Sequence, residues 1–401
     1  MKILCTAQMG AATIMGQAMR VIAIAKTLQR RGHDVRFIAA GKLIPVIRNF
    51  GLDVLEADNM PDIQHTGTLQ DLKAEPSEAT LTQMKELLEK MVELERTMAK
   101  KVCPDLIVSG TVSGATVARS LGIPSALVFL QPHGQKTVQM VSKVINRKGA
   151  AEKQTGTSLQ SMLGAADLII MEGMPELGGD LAMDFFGAGL GEIKEKIRFC
   201  GPLLVESPDQ LPDRFLLKQK HLGNGERNLA YITIGGGSPL IGEQFLATVL
   251  KALQLTPDIT GVVATGLAIS PNTIKAYRPP VNAMVKGFVP GTELIKASDV
   301  TVFHGGSSTL MSCIACGSPA VVIPSMGEQE DNAAVMARFQ AGIVLEKASL
   351  TPDKLAEAMR TVIRSESYRT GAQALKRLGD AYGGAEEAAN WVEQLAGGVQ
   401  R

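Results

Sequence analysis

Apolar positions recur along this chain in two alternating rhythms. Lys2–Thr6 is a short apolar run, read as a buried strand. Between Gly16 and Arg31, Val21, Ile24, Ala25 and Leu28 share one helical face, and Lys26, Gln29 and Arg30 take the other. Gly32 stops that helix and Val35–Ala39 begins the next strand. This β-α-β order predicts a parallel sheet. A polar stretch at 57–78 reads as a long loop, after which Met84, Leu87, Leu88, Met91, Leu94 and Met98 mark an amphipathic helix. Strands at 105–109 and 125–129 flank a small-residue helix near 113–121, and 131–165 reads as surface helix and loop. Near residue 200 the periodicity breaks in a proline-bearing stretch that reads as a linker. A second α/β series follows, with strands at 231–234, 260–265, 283–288, 299–303 and 319–324, and it closes with a helix over Glu386–Leu395. The expected division is an N-terminal domain over 1–205, a linker over 206–227, a second domain over 228–382 and a terminal helical segment over 383–401. No repeat of fixed period joins the two halves.

Composition narrows the function. A net charge of +1 leaves no electrostatic footprint for nucleic acid, and 4% aromatic residues offer few stacking platforms. No apolar run reaches the roughly 18 residues of a membrane-spanning helix, and the N-terminus lacks the pattern of a signal peptide, so a cytoplasmic protein without stable membrane insertion is expected. The 5 cysteines suit a reducing compartment. Cys313 and Cys316 have CxxC spacing, but no second Cys or His pair stands at zinc spacing, and no metal site is expected. The 18 methionines fill cores and also line adaptable apolar pockets.

Two loops of the second half carry candidate chemistry. Gly235, Gly236 and Gly237 follow one strand directly. His304, Gly305, Gly306, Ser307, Ser308 and Thr309 follow another, at the start of a helix. Glycines let backbone amides approach a diphosphate, hydroxyls add donors, and the helix N-terminus favours the anion. Neither loop is a Walker A or a GxGxxG turn, which disfavours a dinucleotide dehydrogenase.

The run FHGGSSTLMSCIACGSPAVVIPSMGEQEDNAAVMARFQAGIVLE resembles the nucleotide-sugar-binding motif of the family 1 glycosyltransferases, and within them the bacterial branch acting on macrolides and polyketides. RRGHDV, FCGPL, KGFVP and the helix ending near WVEQLA agree, so the resemblance spans the chain. It implies an α/β GT-B fold: two Rossmann-like domains facing across a cleft, with the last helix crossing back to the first. It implies that His304, Ser308 and Thr309, with the amides of Gly306 and Ser307, hold a diphosphate, and that Gly235 and Gly236 form a second phosphate-facing turn. Phe288 stands where the base packs, and Glu328 and Gln329 where sugar hydroxyls bind. Ser312 replaces a glutamate that grips the ribose in many members, which suggests a dTDP-sugar, lacking the 2′-hydroxyl, over a UDP-sugar. The implied activity is inverting, metal-independent hexosyl transfer to an apolar small molecule, with the nucleotide sugar as co-substrate and no further cofactor, by a monomer or homodimer.

One departure stands out. Gln17 aligns with the family's acceptor-deprotonating histidine, and Gly110 with the acid that supports it. Three readings follow. The base comes from elsewhere, with His133 or His65 as sources; the acceptor is acidic enough to need none and Gln17 orients it; or the chain is a degenerate auxiliary protein that binds nucleotide sugar without transferring it. A sugar epimerase of the same fold would need several carboxylates and histidines that these loops lack.

Overall fold

The computed structural model describes residues 1–7, 15–41, 43–57, 78–139, 163–178, 191–223, 227–235, 242–266, 269–287 and 289–399. The chain forms two units, one of Met1–Pro132, Val138–Val205 and Tyr382–Arg401, the other of His133–Thr137 and Glu206–Ala381.

The first unit is built on seven parallel strands: β1 (Lys2–Thr6), β2 (Asp34–Ala39), β3 (Asp53–Glu56), β4 (Leu106–Ser109), β5 (Ser125–Leu130), β6 (Leu168–Glu172) and β7 (Ile197–Gly201), in the order β3-β2-β1-β4-β5-β6-β7. Helix Met15–Arg30 packs Ala18, Val21, Ile22, Ala25 and Leu28 on Ile3, Cys5, Phe37 and Val108 of the sheet. The strands β3, β6 and β7 escape the sequence pattern. LIIME of β6 is buried at every position, so it shows no alternation, and the cysteine and glycine ending β7 read as the start of a linker.

The terminal helix Gly384–Val399 belongs to this unit and adds Ala388, Ala389, Val392 and Ala396 to its core. The RRGHDV turn holds it. Arg31 Nη1 donates to Asn390 Oδ1 (2.9 Å) and Glu393 Oε2 (2.7 Å), its Nη2 donates to Glu386 Oε2 (2.7 Å), and His33 Nε2 pairs with Glu393 Oε1 (2.7 Å). These bonds keep the Glu393 carboxyl below its ordinary pKa, His33 first among the causes. Deeper in the unit, Arg20 forms a buried ion pair with Glu172, whose Oε1 also accepts the Leu203 amide (3.0 Å).

The second unit has six parallel strands: β8 (Asn228–Thr233), β9 (Ile259–Ala264), β10 (Ala283–Lys286), β11 (Val300–Phe303), β12 (Ala320–Val322) and β13 (Gly342–Val344), in the order β10-β9-β8-β11-β12-β13. Of the span 206–227, expected as a linker, the described residues 206–223 and 227 belong to this unit. Ser207 and Asp213 cap a 3₁₀ turn over Pro208–Gln210 and a helix over Arg214–Leu222, and Arg214 bonds to Asp299 Oδ1 (2.6 Å). Prolines here start elements rather than break them.

In each sheet the chain reverses its direction of winding once, between β1 and β4 in the first and between β8 and β11 in the second. Open parallel sheets bind ligands beyond the carboxyl ends of strands at such points. No helix among the described residues is long and apolar enough to cross a membrane.

Candidate functional site

The switch point of the second sheet brings together two loops far apart in sequence. β8 and β11 pair in register, Thr233 opposite Phe303, so Gly235 and His304 leave the same edge side by side. The imidazole of His304 lies between two glycines. A Cβ on Gly235 would stand 2.8 Å from its Cε1, and a Cβ on Gly306 2.6 Å from its Nε2. Any larger residue at either position would displace the ring. His304 is buried, and burial lowers its pKa to about 4, so the ring is neutral near pH 7. Its Nδ1 is buried without a hydrogen-bond partner among the described residues. A buried unpartnered ring nitrogen at a strand's carboxyl end is placed to meet a ligand atom.

Helix Ser307–Cys316 begins at Gly306, and no side chain caps it. Its first amides therefore lack intrahelical partners and present an anion site. Ser307 is tied inward: its Oγ donates to Glu328 Oε1 (2.5 Å) and accepts from Asn332 Nδ2 (3.1 Å), which leaves its amide for a ligand. Ser308 and Thr309 are half-buried on the same turn. Ser312 is turned back, its Oγ donating to the Ser308 carbonyl (2.9 Å). Glu328 and Gln329 open the adjacent helix Gly327–Arg338, and Gln329 Oε1 accepts from the amide (3.0 Å) and hydroxyl (2.9 Å) of Ser325. Gly236 and Phe288 lie outside the described residues.

His133, considered as a base from the sequence, sits in this unit in a supporting place. It is buried, and its Nδ1 pairs with Asn332 Oδ1 (2.7 Å). Asn332 in turn donates to the Gly305 carbonyl (2.7 Å) and to Ser307 Oγ. The same segment is fixed by Thr137, whose amide (2.6 Å) and hydroxyl (2.7 Å) donate to Asp331 Oδ2, and by the Lys136–Glu330 ion pair. Asn332 was missed from the sequence. The available signal was its place four residues after Glu328, on the same helical face.

At the switch point of the first sheet, Gly110 follows β4 and Gln17 lies half-buried on helix Met15–Arg30. A Cβ on Gly110 would be 3.1 Å from Gln17 Cγ and 3.0 Å from Val21 Cγ2. The two positions are spatial neighbours, and neither carries an acid or base. His65 lies outside the described residues, as do 8–14, 58–77 and 140–162. Met91 is fully buried and belongs to the core. Cys313 and Cys316 are free thiols on one helix, and burial raises both, Cys316 to about 12, which keeps them protonated and unreactive.

Residues 268–395 match the family model of the erythromycin biosynthesis protein CIII-like C-terminal domain. Over 401 aligned residues, 94% of each chain, the protein is 25% identical to the NDP-glycosyltransferase YjiC of Bacillus subtilis. Among solved structures, it resembles the glycotransferase of kitacinnamycin with a TM-score of 0.73 at 18% identity, covering 98% of both chains. It also resembles the Streptomyces sp. SF2575 glycosyltransferase SsfS6 complexed with thymidine diphosphate, with a TM-score of 0.65 at 20% identity over 98% of this chain and 99% of that one.

Proposed function

We propose that this chain, whose residues 268–395 match the EryCIII-like C-terminal domain and whose relatives and structural neighbours are glycosyltransferases, moves a hexose from a dTDP-sugar, or alternatively a UDP-sugar, to an apolar small molecule whose nucleophile is acidic or readily ionised. The nucleotide sugar is the only co-substrate, and transfer proceeds with inversion and without a metal ion. The observation that carries the donor half is the neutral, buried His304 beside the uncapped start of helix Ser307–Cys316. As the bond from the anomeric carbon to the diphosphate breaks, negative charge grows on the departing oxygens. A ring N–H, the Ser307 and Ser308 amides and the Thr309 hydroxyl are donors where that charge develops. Glu328 supplies an acceptor and the Gln329 Nε2 a donor for sugar hydroxyls.

Three observations support the finer choices. Ser312 gives its one donor to its own helix and is shorter than a glutamate, so it grips a ribose 2′-hydroxyl less firmly, which favours a dTDP donor. One structural neighbour was solved with thymidine diphosphate. On the acceptor side, Gln17 against Gly110 can orient a nucleophile by hydrogen bonding but cannot remove its proton. General base catalysis contributes about 10²–10⁴-fold, which a lower acceptor pKa offsets. The same pair of positions favours a second reading, a nucleotide-sugar-binding protein that does not transfer.

Calorimetric titration with dTDP and UDP, repeated on His304→Ala, tests the donor site. Micromolar binding of dTDP, weakened at least tenfold in the variant, is expected. Equal binding by the variant would remove His304 from the site. Release of dTDP from a dTDP-sugar that depends on added phenol separates transfer from mere binding.

A further inference from the structure

The acceptor side of the first unit holds one acid that the proposed reaction has not used. Glu95 lies on helix Glu78–Val102 and is 1% exposed, between the buried Met91 and Ala99 one turn away on either side. One carboxyl oxygen is hydrogen-bonded to the Ser113 hydroxyl, and Oε2 is buried with no partner among the described residues. From Ser113 a chain of buried hydroxyls runs back to the β1/β4 switch point. Ser113 Oγ lies 2.9 Å from Thr111 Oγ1, which lies 3.2 Å from Ser109 Oγ and 3.5 Å from Thr6 Oγ1. Ser109 and Thr6 are themselves bonded at 2.7 Å. Thr111 follows Gly110 directly and stands at the N-cap of helix Val112–Leu121, yet its side chain does not cap that helix. Its hydroxyl is given to the chain instead.

Among the described residues nothing cationic pairs with this acid. Burial is the cause that raises its pKa, to about 8, and the Ser113 bond is the one opposing influence. Arg119, the only charged side chain on the facing helix, is exposed and donates to the Gly164 carbonyl. On its own helix Glu89, Lys90, Glu93, Lys100 and Lys101 are exposed and Arg96 pairs with Glu93. A leucine in this place would pack without the cost of an unpaired buried carboxyl.

We propose that Glu95, acting through Ser113 and Thr111, accepts the proton of the acceptor hydroxyl, in place of the histidine and acid absent at Gln17 and Gly110. This rests on the transfer reaction proposed above. The acceptor O–H bond breaks and its proton passes to Thr111 Oγ1. Thr111 passes its own proton to Ser113, and Ser113 passes its own to the Glu95 carboxylate. The freed electron pair on the acceptor oxygen bonds to the anomeric carbon, and the bond to the diphosphate leaves with its pair on the nucleotide. Glu95 ends protonated and returns the proton along the same chain once product departs. A base of this pKa suits a phenolic hydroxyl, near 10 in its free form, better than an alkyl alcohol.

The test uses the full-length protein, dTDP-glucose and UDP-glucose as donors, and para-cresol and para-nitrophenol as acceptors. Glu95→Gln is expected to lower kcat on para-cresol by about 100-fold or more, with a smaller loss on the more acidic para-nitrophenol. The rise of kcat with pH through about 8 disappears in the variant. Calorimetric dTDP affinity stays within about twofold, since the acid lies outside the donor loop. Ser113→Ala and Thr111→Val break the chain without touching Glu95 and are expected to give the same graded loss; they decide the matter if Glu95→Gln does not fold. Unchanged kcat and pH profile on para-cresol in folded variants overturns the relay and leaves the transfer reaction standing. No transfer by the unaltered protein to either phenol overturns the proposed function and the relay with it.

Discussion

His304 shows how much a residue's meaning depends on its two smallest neighbours. The ring is held between Gly235 and Gly306 with no room for a methyl group on the second. Gly306→Ala is therefore expected to displace the imidazole and weaken dTDP binding by about tenfold or more, read by calorimetry, while leaving the unfolding midpoint within a few degrees. Asn332 is the residue through which His133, the Gly305 carbonyl and Ser307 are joined. Asn332→Leu strands a buried carbonyl and is expected to raise KM for the donor more than it lowers kcat, because it disturbs the loop rather than the reacting atoms. In the first unit the Arg20–Glu172 pair is buried on both sides. Arg20→Met leaves the carboxylate uncompensated and is expected to cost about 3–5 kcal/mol in denaturant unfolding, most of it recovered by the double variant with Glu172→Leu.

At the scale of elements, the proposed donor site rests on a helix end, and helix faces carry the stability. Helix Ser307–Cys316 keeps its start uncapped, where a serine or aspartate at the N-cap would compete with a ligand for the same amides. The terminal helix Gly384–Val399 does the opposite work, placing Val392 fully inside the core of the first unit. Val392→Asp is expected to destabilise that unit by about 3 kcal/mol or more, seen as an earlier loss of helical signal on heating. This dependence on the last helix explains the RRGHDV motif physically. Arg31 and His33 close a turn whose charged partners, Glu386 and Glu393, arrive from the other end of the sequence.

At the scale of the whole molecule, two buried titratable groups pull stability in opposite directions. His304 has its pKa lowered from 6.5 to about 4, so the unfolded chain binds the extra proton between those values. Its contribution is complete above pH 6.5 and is lost as pH falls through about 4. Glu95 has its pKa raised from 4.5 to about 8, so its contribution is complete below pH 4.5 and is lost as pH rises through about 8. Urea unfolding followed across this range is expected to show an acid limb that His304→Asn flattens and an alkaline limb that Glu95→Gln flattens. Much of the architecture was legible in the chain. Alternating short apolar runs and amphipathic helices, with glycines closing the turns, announced parallel sheets, because local periodicity is set by the geometry of each element. The candidate donor loop was legible too, since glycines, hydroxyls and a histidine between a strand and a helix occupy consecutive positions. Strands β3, β6, β7 and β13 were not, being short or buried on both faces. Glu95 was hidden inside an amphipathic stripe, where an acid at a core position reads as surface until the facing helix is known. That Gln17 meets Gly110, that His133 braces Asn332, and that Glu95 lies one hydroxyl chain from the ends of β1 and β4 follow from the tertiary structure alone. Neighbouring residues alone announced most of the elements and the loop that carries the proposed donor site, because local periodicity and loop composition are written in consecutive positions. The pairings across 90 or more positions were decided by strand order and packing, which bring distant residues to one sheet edge and remove them from water.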